Sequence, residues 1–160
     1  MRILIAAVGR LKDAEERAIV ARYSKRFDQT GKSLGLGPLS FIELPEGKAD
    51  SSPARKTDEA RRLIAAADKS ALTIVLDGCG KLLSSDAFAK FLQSHADAGT
   101  KACSFLIGGP DGHGDAALKV ATLTLSLGPM TLPHGLARVV LTEQLYRAAT
   151  ILAGHPYHRA

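Results

Sequence analysis

The stretch 102-ACSFLIGGPDGHG-114 decides how the chain is read. Its first half is a short apolar run, and its second half is made of residues that turn a chain: Gly108, Gly109, Pro110, Asp111, Gly112 and Gly114. A strand that leaves through a glycine-rich turn into a helix is one unit of an α/β sheet. Four further apolar runs repeat the theme on either side: RILIAAV at 2–8, LSFIEL at 39–44, LTIVLD at 72–77 and TLTLSL at 122–127. Helical patterns fall between them, at Asp13–Phe27, at Pro53–Ala67 behind Ser52, at Ser84–Ala96 with Ser84 or Ser85 capping, and in a shorter piece after Gly114. The last helix is expected over Gly135–Ala153, where Leu136, Val140, Leu141, Leu145, Ala148 and Leu152 fall on one side. Gly154 and Pro156 stop it. Five strands alternating with helices predict a mostly parallel α/β sheet with helices on both faces.

The 160 residues suit one domain spanning 1–160, and a 46% apolar, 23% charged composition belongs to a globular chain. Met1-Arg2 leads directly into an apolar run too short for a signal segment, and no stretch approaches a membrane span, so a cytoplasmic protein without membrane contact is expected. Cys79 and Cys103 lie far apart and suggest neither a zinc ribbon nor a redox pair. The net charge of +5 and pI near 9.4 favour a polyanionic partner. Residues 1–69 hold 14 Lys or Arg against 10 Asp or Glu, so the first half carries most of that charge.

Ligands of open parallel sheets bind beyond the carboxyl ends of the strands. Three exits are unusual: Asp77-Gly78-Cys79-Gly80, then GGPDGHG at 108–114, then GPMTLPHG at 128–135. Their glycines let backbone approach a ligand, and their prolines fix the turns, which describes a pocket built from main chain. The first strand leaves through Val8-Gly9-Arg10-Leu11, which lacks the G-x-G-x-x-G turn of a dinucleotide site. Two motifs in the loop-like stretch 29–40 lack their context. GKSLG has no strand before Ser33, and a phosphate loop would need glycine at Arg26.

Arg138, Thr142, Tyr146 and Thr150 recur at i, i+4 on the last helix, and Glu143 with Arg147 forms a favourable surface pair. The chain then ends in GHPYHRA, residues 154–160. This tail admits three roles: a solvent-exposed end, a metal site through His155 and His158, or a cover over the pocket mouth. In the last, Arg159 would meet phosphate, Tyr157 would stack on a base and a histidine would exchange a proton.

LIGGPDGHG followed by LSLGPMTLPHGLARVVLTEQLYRAATILAGHPYHR resembles the C-terminal half of the RlmH family, within the SPOUT class of methyltransferases. MRILIAAVGRLKD, IELPEGK and VLDGCGK extend the likeness over the whole chain. The resemblance implies a C-terminal trefoil knot, a homodimer, and S-adenosylmethionine as methyl donor. It implies methylation of N3 of pseudouridine 1915 in 23S ribosomal RNA, on the ribosome and with no metal. Carried over by position, it places the cofactor against Leu76, Gly108, Leu127, Gly128, Pro129, Met130, Thr131 and Leu132. Removal of the N3 proton is expected of His155 or His158, with Tyr157 packing the base and Arg138 and Arg159 holding RNA. His113 and Gly114 stand where relatives vary, and His134 is equally compatible with a structural or a pocket role. A SPOUT enzyme acting on tRNA and a non-catalytic basic ribosome-binding module are the alternative functions.

Overall fold

In the computed structural model, which describes residues 1–67 and 72–158, each apolar run forms a strand: β1 (Arg2–Val8), β2 (Leu39–Leu44), β3 (Leu72–Leu82), β4 (Ala102–Ile107) and β5 (Leu123–Ser126). Their pairings are all parallel and their order is β2-β1-β4-β3-β5. β4 lies at the centre with all six residues buried, which is why its sequence shows no polar alternation. β2 lies at an edge, and Ser40 to Glu43 are exposed there.

The helices are α1 (Ala14–Gly31), α2 (Ser52–Ala66), α3 (Ser85–Asp97), α4 (Asp115–Val120) and α5 (His134–Leu152). Asp13 and Ser84 cap α1 and α3 by accepting from the amides of Glu16 and Ala87, at 2.8 and 3.1 Å. Ser51 caps α2, one residue ahead of the expected Ser52, and leaves Pro53 in the first turn, where its missing N–H is harmless. Phe27 of α1, Phe88 and Leu92 of α3, and Leu141 and Leu145 of α5 share one core with Ile3, Ile5, Phe105 and Ile107 of the sheet. Leu63 of α2 meets Ala6, Val8, Val75 and Leu106 on the opposite face, where α4 packs beside α2. β1 and β3 therefore send their helices to one face, while β4 between them sends its helix to the other. Such a reversal opens a crevice on each side of the central strand's carboxyl end.

Three features depart from the sequence expectation. β3 does not end at Asp77. Leu76 pairs with Leu125, the chain bulges, and Lys81 pairs with Leu125 again. Gly80 makes this possible, because an added Cβ would stand 2.7 Å from the carbonyl carbon of Leu125. α1 continues to Gly31, so much of the supposed 29–40 loop is helix end and a 3₁₀ turn at Lys32–Leu34. On α5 the polar row is buried: Arg138, Thr142, Tyr146 and Thr150 are each at most 7% exposed, whereas Leu136 is 43% exposed. The hydroxyls of Thr142 and Thr150 donate to the helix's own carbonyls of Arg138 and Arg147, both at 2.7 Å, which lets them enter a core. α5 is enclosed by α1 on one side and α3 on the other.

Candidate functional site

A cavity of about 290 Å³ opens at the carboxyl ends of β3, β4 and β5. Leu76, Gly108, Leu127, Gly128, Pro129, Met130, Thr131 and Leu132 all line it. So do Asp77, Gly109, Pro110, His113, Ser126 and His134, beyond the eight that the resemblance implies.

The walls are turns that other side chains would not allow. Gly112 and Gly128 have φ of +83° and +138°, a region that favours glycine. A Cβ on Gly108 would lie 3.0 Å from the main chain of Gly112. The amide of Gly112 donates to the carbonyl of Gly109 at 2.9 Å and closes the turn. The hydroxyl of Ser126 holds the third exit, accepting from the Gly128 amide at 3.2 Å and donating to the Gly128 carbonyl at 3.0 Å.

α2 braces the GGPDG turn from outside. Arg55 Nε donates to Asp111 Oδ2 at 2.7 Å. That bond holds the Asp111 carboxyl below its ordinary range and the Arg55 guanidinium above its own. Glu59, 3% exposed, accepts from the amide of Gly47 at 2.7 Å. Its other oxygen has no hydrogen-bond partner among the described residues, and a Cβ on Gly109 would stand 2.6 Å from it. On the inner side His113 reaches back beneath the turn, with Nε2 3.0 Å from the Gly108 amide nitrogen and 2.9 Å from the Leu76 carbonyl oxygen. Burial pushes this imidazole below its ordinary pKa, so it is neutral near pH 7.

A second cleft, of about 350 Å³, lies on the other side of β4's end between Gly9–Glu16, Glu46 and the start of α5. Pro110 and His134 line both cavities. Arg138 also borders the second cleft, but its guanidinium does not offer itself to RNA as expected. The side chain is 4% exposed, and it donates to the carbonyls of Val8 and Gly9 at 2.8 and 2.7 Å and to Glu43 at 3.0 Å. Glu43 in turn accepts from the Leu11 amide at 2.8 Å. Burial lowers the guanidinium's pKa, with Glu43 and Glu16 opposing, and it remains charged. Arg138 thus organises the exit of β1. The clue in the sequence was its row, since Thr142 and Thr150 are residues that can satisfy themselves inside a core.

Among the described residues, the tail does not cover this chain's own pocket. Tyr157 folds back on α5, its ring 4.7 Å from that of Tyr146 and its hydroxyl donating to Glu143 at 3.0 Å. Glu143 stands nine residues, about 14 Å of helix rise, beyond His134 at the pocket. The Arg147 guanidinium sits over the Tyr157 ring at 4.9 Å. Burial and bonds to Tyr23 and Glu143 raise the phenol above its ordinary pKa. His158 lies between Arg147 and Asp86, 3.5 Å from each. His155 is exposed, and its Nδ1 accepts from the Tyr157 amide at 3.1 Å. Arg159 lies outside the described residues. Among the described residues no group of three or more His, Cys, Asp or Glu is placed to hold a metal ion, and no helix is long and apolar enough to cross a membrane.

Known proteins resemble this chain as follows. A family model described as "Predicted SPOUT methyltransferase" matches residues 1–158. The "Ribosomal RNA large subunit methyltransferase H" of Brucella anthropi is 48% identical over 160 residues, covering 100% of both chains. The protein of the same name from Xanthobacter autotrophicus is also 48% identical over 160 residues, again with 100% of both covered. Among solved structures, a probable methylase family protein from Haemophilus influenzae Rd KW20 matches at a TM-score of 0.51 and 14% identity, covering 99% of this chain and 70% of that one, a likeness of fold.

Proposed function

The chain belongs to the RlmH family of SPOUT methyltransferases, and from that premise we propose that it methylates ribosomal RNA of the large subunit in the cytoplasm, using S-adenosylmethionine. The target in this proposal is N3 of pseudouridine 1915 of 23S RNA on the assembled ribosome. One observation carries the reading: eight residues from three separate stretches of sequence converge on one cavity at the reversal point of the sheet. Its volume lies at the lower end of the range for small-molecule sites, ~300–1,000 Å³. Its lining of main chain and apolar side chains suits an adenosine and a thioether.

When bound, the cofactor supplies a methyl group on a positively charged sulfur. Gly108 and the 127–132 segment hold and orient it, which fixes the line of approach and removes several kcal/mol from the barrier. The imide nitrogen must lose its proton before or during attack, so a base has to reach the pocket mouth.

The tail supplies that base in a homodimer, from the second copy, because in its own chain it is folded back on α5. Exposed apolar residues near the pocket support such a pairing: Leu82, Met130 and Leu136 are 62%, 81% and 43% exposed. The knotted C-terminal half belongs to the same proposal and accords with β3 lying between β4 and β5.

Calorimetry with S-adenosylhomocysteine tests the pocket, and mass mapping of 23S RNA from cells lacking the protein, before and after adding it back, tests the target. A chain truncated after Gly154 is expected to bind S-adenosylhomocysteine yet not methylate. Mixing it with Gly108→Val, whose side chain would strike Gly112, is expected to restore methylation through mixed dimers. Mixtures as inactive as either variant alone would rule out a tail acting across the dimer.

A further inference from the structure

The second half of α1 carries a row of cations that no carboxylate answers. In the stretch 22-RYSKRFDQTGK-32 four residues are basic and one is acidic. Arg22, Lys25, Arg26 and Gln29 are exposed and recur at i, i+3, i+4 and i+7, so they share one stripe of the helix, and exposed Lys32 follows on the turn beyond. Asp28 is engaged with β2, its Oδ1 accepting from the Leu39 amide at 2.8 Å. Among the described residues no carboxylate pairs with Arg22, Lys25, Arg26 or Lys32. α2 differs: Arg55 is paired with Asp111 at 2.7 Å, and Arg61 and Arg62 with Asp58 at 2.8 and 2.9 Å. The excess charge of the basic first half therefore reaches the surface unneutralised on α1 and not on α2.

Two of these cations are also held in place. The Arg22 guanidinium lies 5.4 Å from the ring centroid of Tyr23, and that of Arg26 lies 5.9 Å from the centroid of Tyr146. Each ring attracts the cation and takes none of its N–H groups, which remain for an acceptor arriving from solvent. A side chain already positioned in this way costs less to order when a ligand binds. The stripe also borders the tail. The Tyr23 and Tyr146 rings lie 5.8 Å apart, and both meet Tyr157, Tyr146 through its ring at 4.7 Å and Tyr23 through its hydroxyl at 3.4 Å.

We propose that this face of α1 is a docking surface for the phosphate backbone of RNA, with Arg22, Lys25 and Arg26 each meeting a phosphate oxygen. Charge complementarity selects the occupant. Among the described residues none of the exposed large apolar side chains lies on α1, so the stripe lacks the anchors of a protein interface and has the free donors that phosphates take. The inference rests on the ribosomal RNA reading of the site. The tail that serves a second copy's pocket leaves from beside this stripe, so the stripe flanks the mouth where the target nucleotide enters and holds the RNA that leads to it. Phosphate contacts of this kind set position and register, and leave the choice of base to the pocket.

Replacing Arg22→Gln, Lys25→Gln and Arg26→Gln together removes the charge with residues that keep a helix. Polyuridylate probes the backbone alone. With three phosphate contacts and a slope of ~0.7 for each on a single strand, the dependence of log affinity on log salt is expected to flatten by about two, and binding at about 0.1 M salt to weaken about a hundredfold. Replacing Lys48→Gln, Lys90→Gln and Lys119→Gln together removes the same charge from exposed positions elsewhere and is expected to keep the wild-type slope. Arg22→Lys with Arg26→Lys is expected to bind as wild type does, because a phosphate accepts a point charge. An unchanged slope in the first triple variant, or equal flattening in the second, overturns the proposal.

With ribosomes from cells lacking the protein, the first triple variant is expected to raise the KM for the ribosome about tenfold or more, with kcat and the affinity for S-adenosylhomocysteine within about twofold. A loss in kcat at unchanged KM overturns the docking role. Gln29→p-benzoylphenylalanine puts a photo-crosslinker on the stripe with every cation retained. Crosslinks to ribosomal RNA are expected, and crosslinks to ribosomal protein alone, or none in a complex that forms, overturn the proposal. A wild-type chain that binds polyuridylate through the stripe but neither binds nor methylates ribosomes would instead refute the ribosomal reading and leave the stripe as an RNA surface.

Discussion

Replacing Arg138 by Met separates a buried clamp from a phosphate contact. The substitution keeps length and removes three hydrogen bonds: to Val8, to Gly9 and to Glu43. Val8 is 1% exposed, so its carbonyl is left without water and costs ~1–3 kcal/mol. The Gly9 carbonyl is only part-buried and recovers a water partner. The Glu43 side chain is 39% exposed, so its ion pair adds ~1 kcal/mol at most. The charge no longer has to be desolvated, which offsets part of the loss. The net expectation is ~1–3 kcal/mol, a fall in Tm of roughly 2–12 °C for a chain of this size. Urea unfolding should show the loss as a lower midpoint at unchanged slope. In RNA binding, the dependence of affinity on salt should keep its slope, because a buried guanidinium releases no counterion. A phosphate contact would instead reduce the slope by about one. An Arg138→Met chain as stable as wild type, with the reduced salt slope, would refute the clamp.

Gly80→Ala places a methyl group against the main chain of Leu125, which cannot rotate away, and should destabilise by ~1–3 kcal/mol in urea titration. Of the two thiols, Cys79 is exposed and Cys103 is buried, with burial raising the Cys103 pKa well above its ordinary value. A disulfide reagent should therefore titrate one thiol in the native chain and both in denaturant. His113 binds its proton more weakly folded than unfolded, so stability should decline as pH drops through its unfolded value of about 6.5 towards the lower native one. His113→Phe should flatten that limb of the stability curve, and an identical slope in the variant would contradict it.

Strand positions, helix positions and the sheet type were legible in the chain, because an apolar run between turn residues leaves few alternatives. The pocket was legible for the same reason: glycines and prolines at strand exits act through local backbone geometry, which sequence carries directly. The eight residues carried over from the family resemblance fall on the cavity that those exits form. Side-chain roles were not legible. Arg138 looks like a surface cation at helical spacing, and only the packing of α5 between α1 and α3 turns it toward the carbonyls of β1. Tyr157 and His158 look free beyond a helix stop, and only the positions of Tyr23, Glu143 and Asp86 determine where they settle. His113 stood out as a departure from relatives, yet its wedge between Leu76 and Gly108 joins residues 37 and 5 positions away. Local propensity and turn chemistry are properties of neighbours in the chain, so the sequence determined the elements and the main-chain pocket. Burial and hydrogen-bond partners are properties of neighbours in space, so the tertiary structure alone decided which polar side chains line the cavity and which hold the fold together.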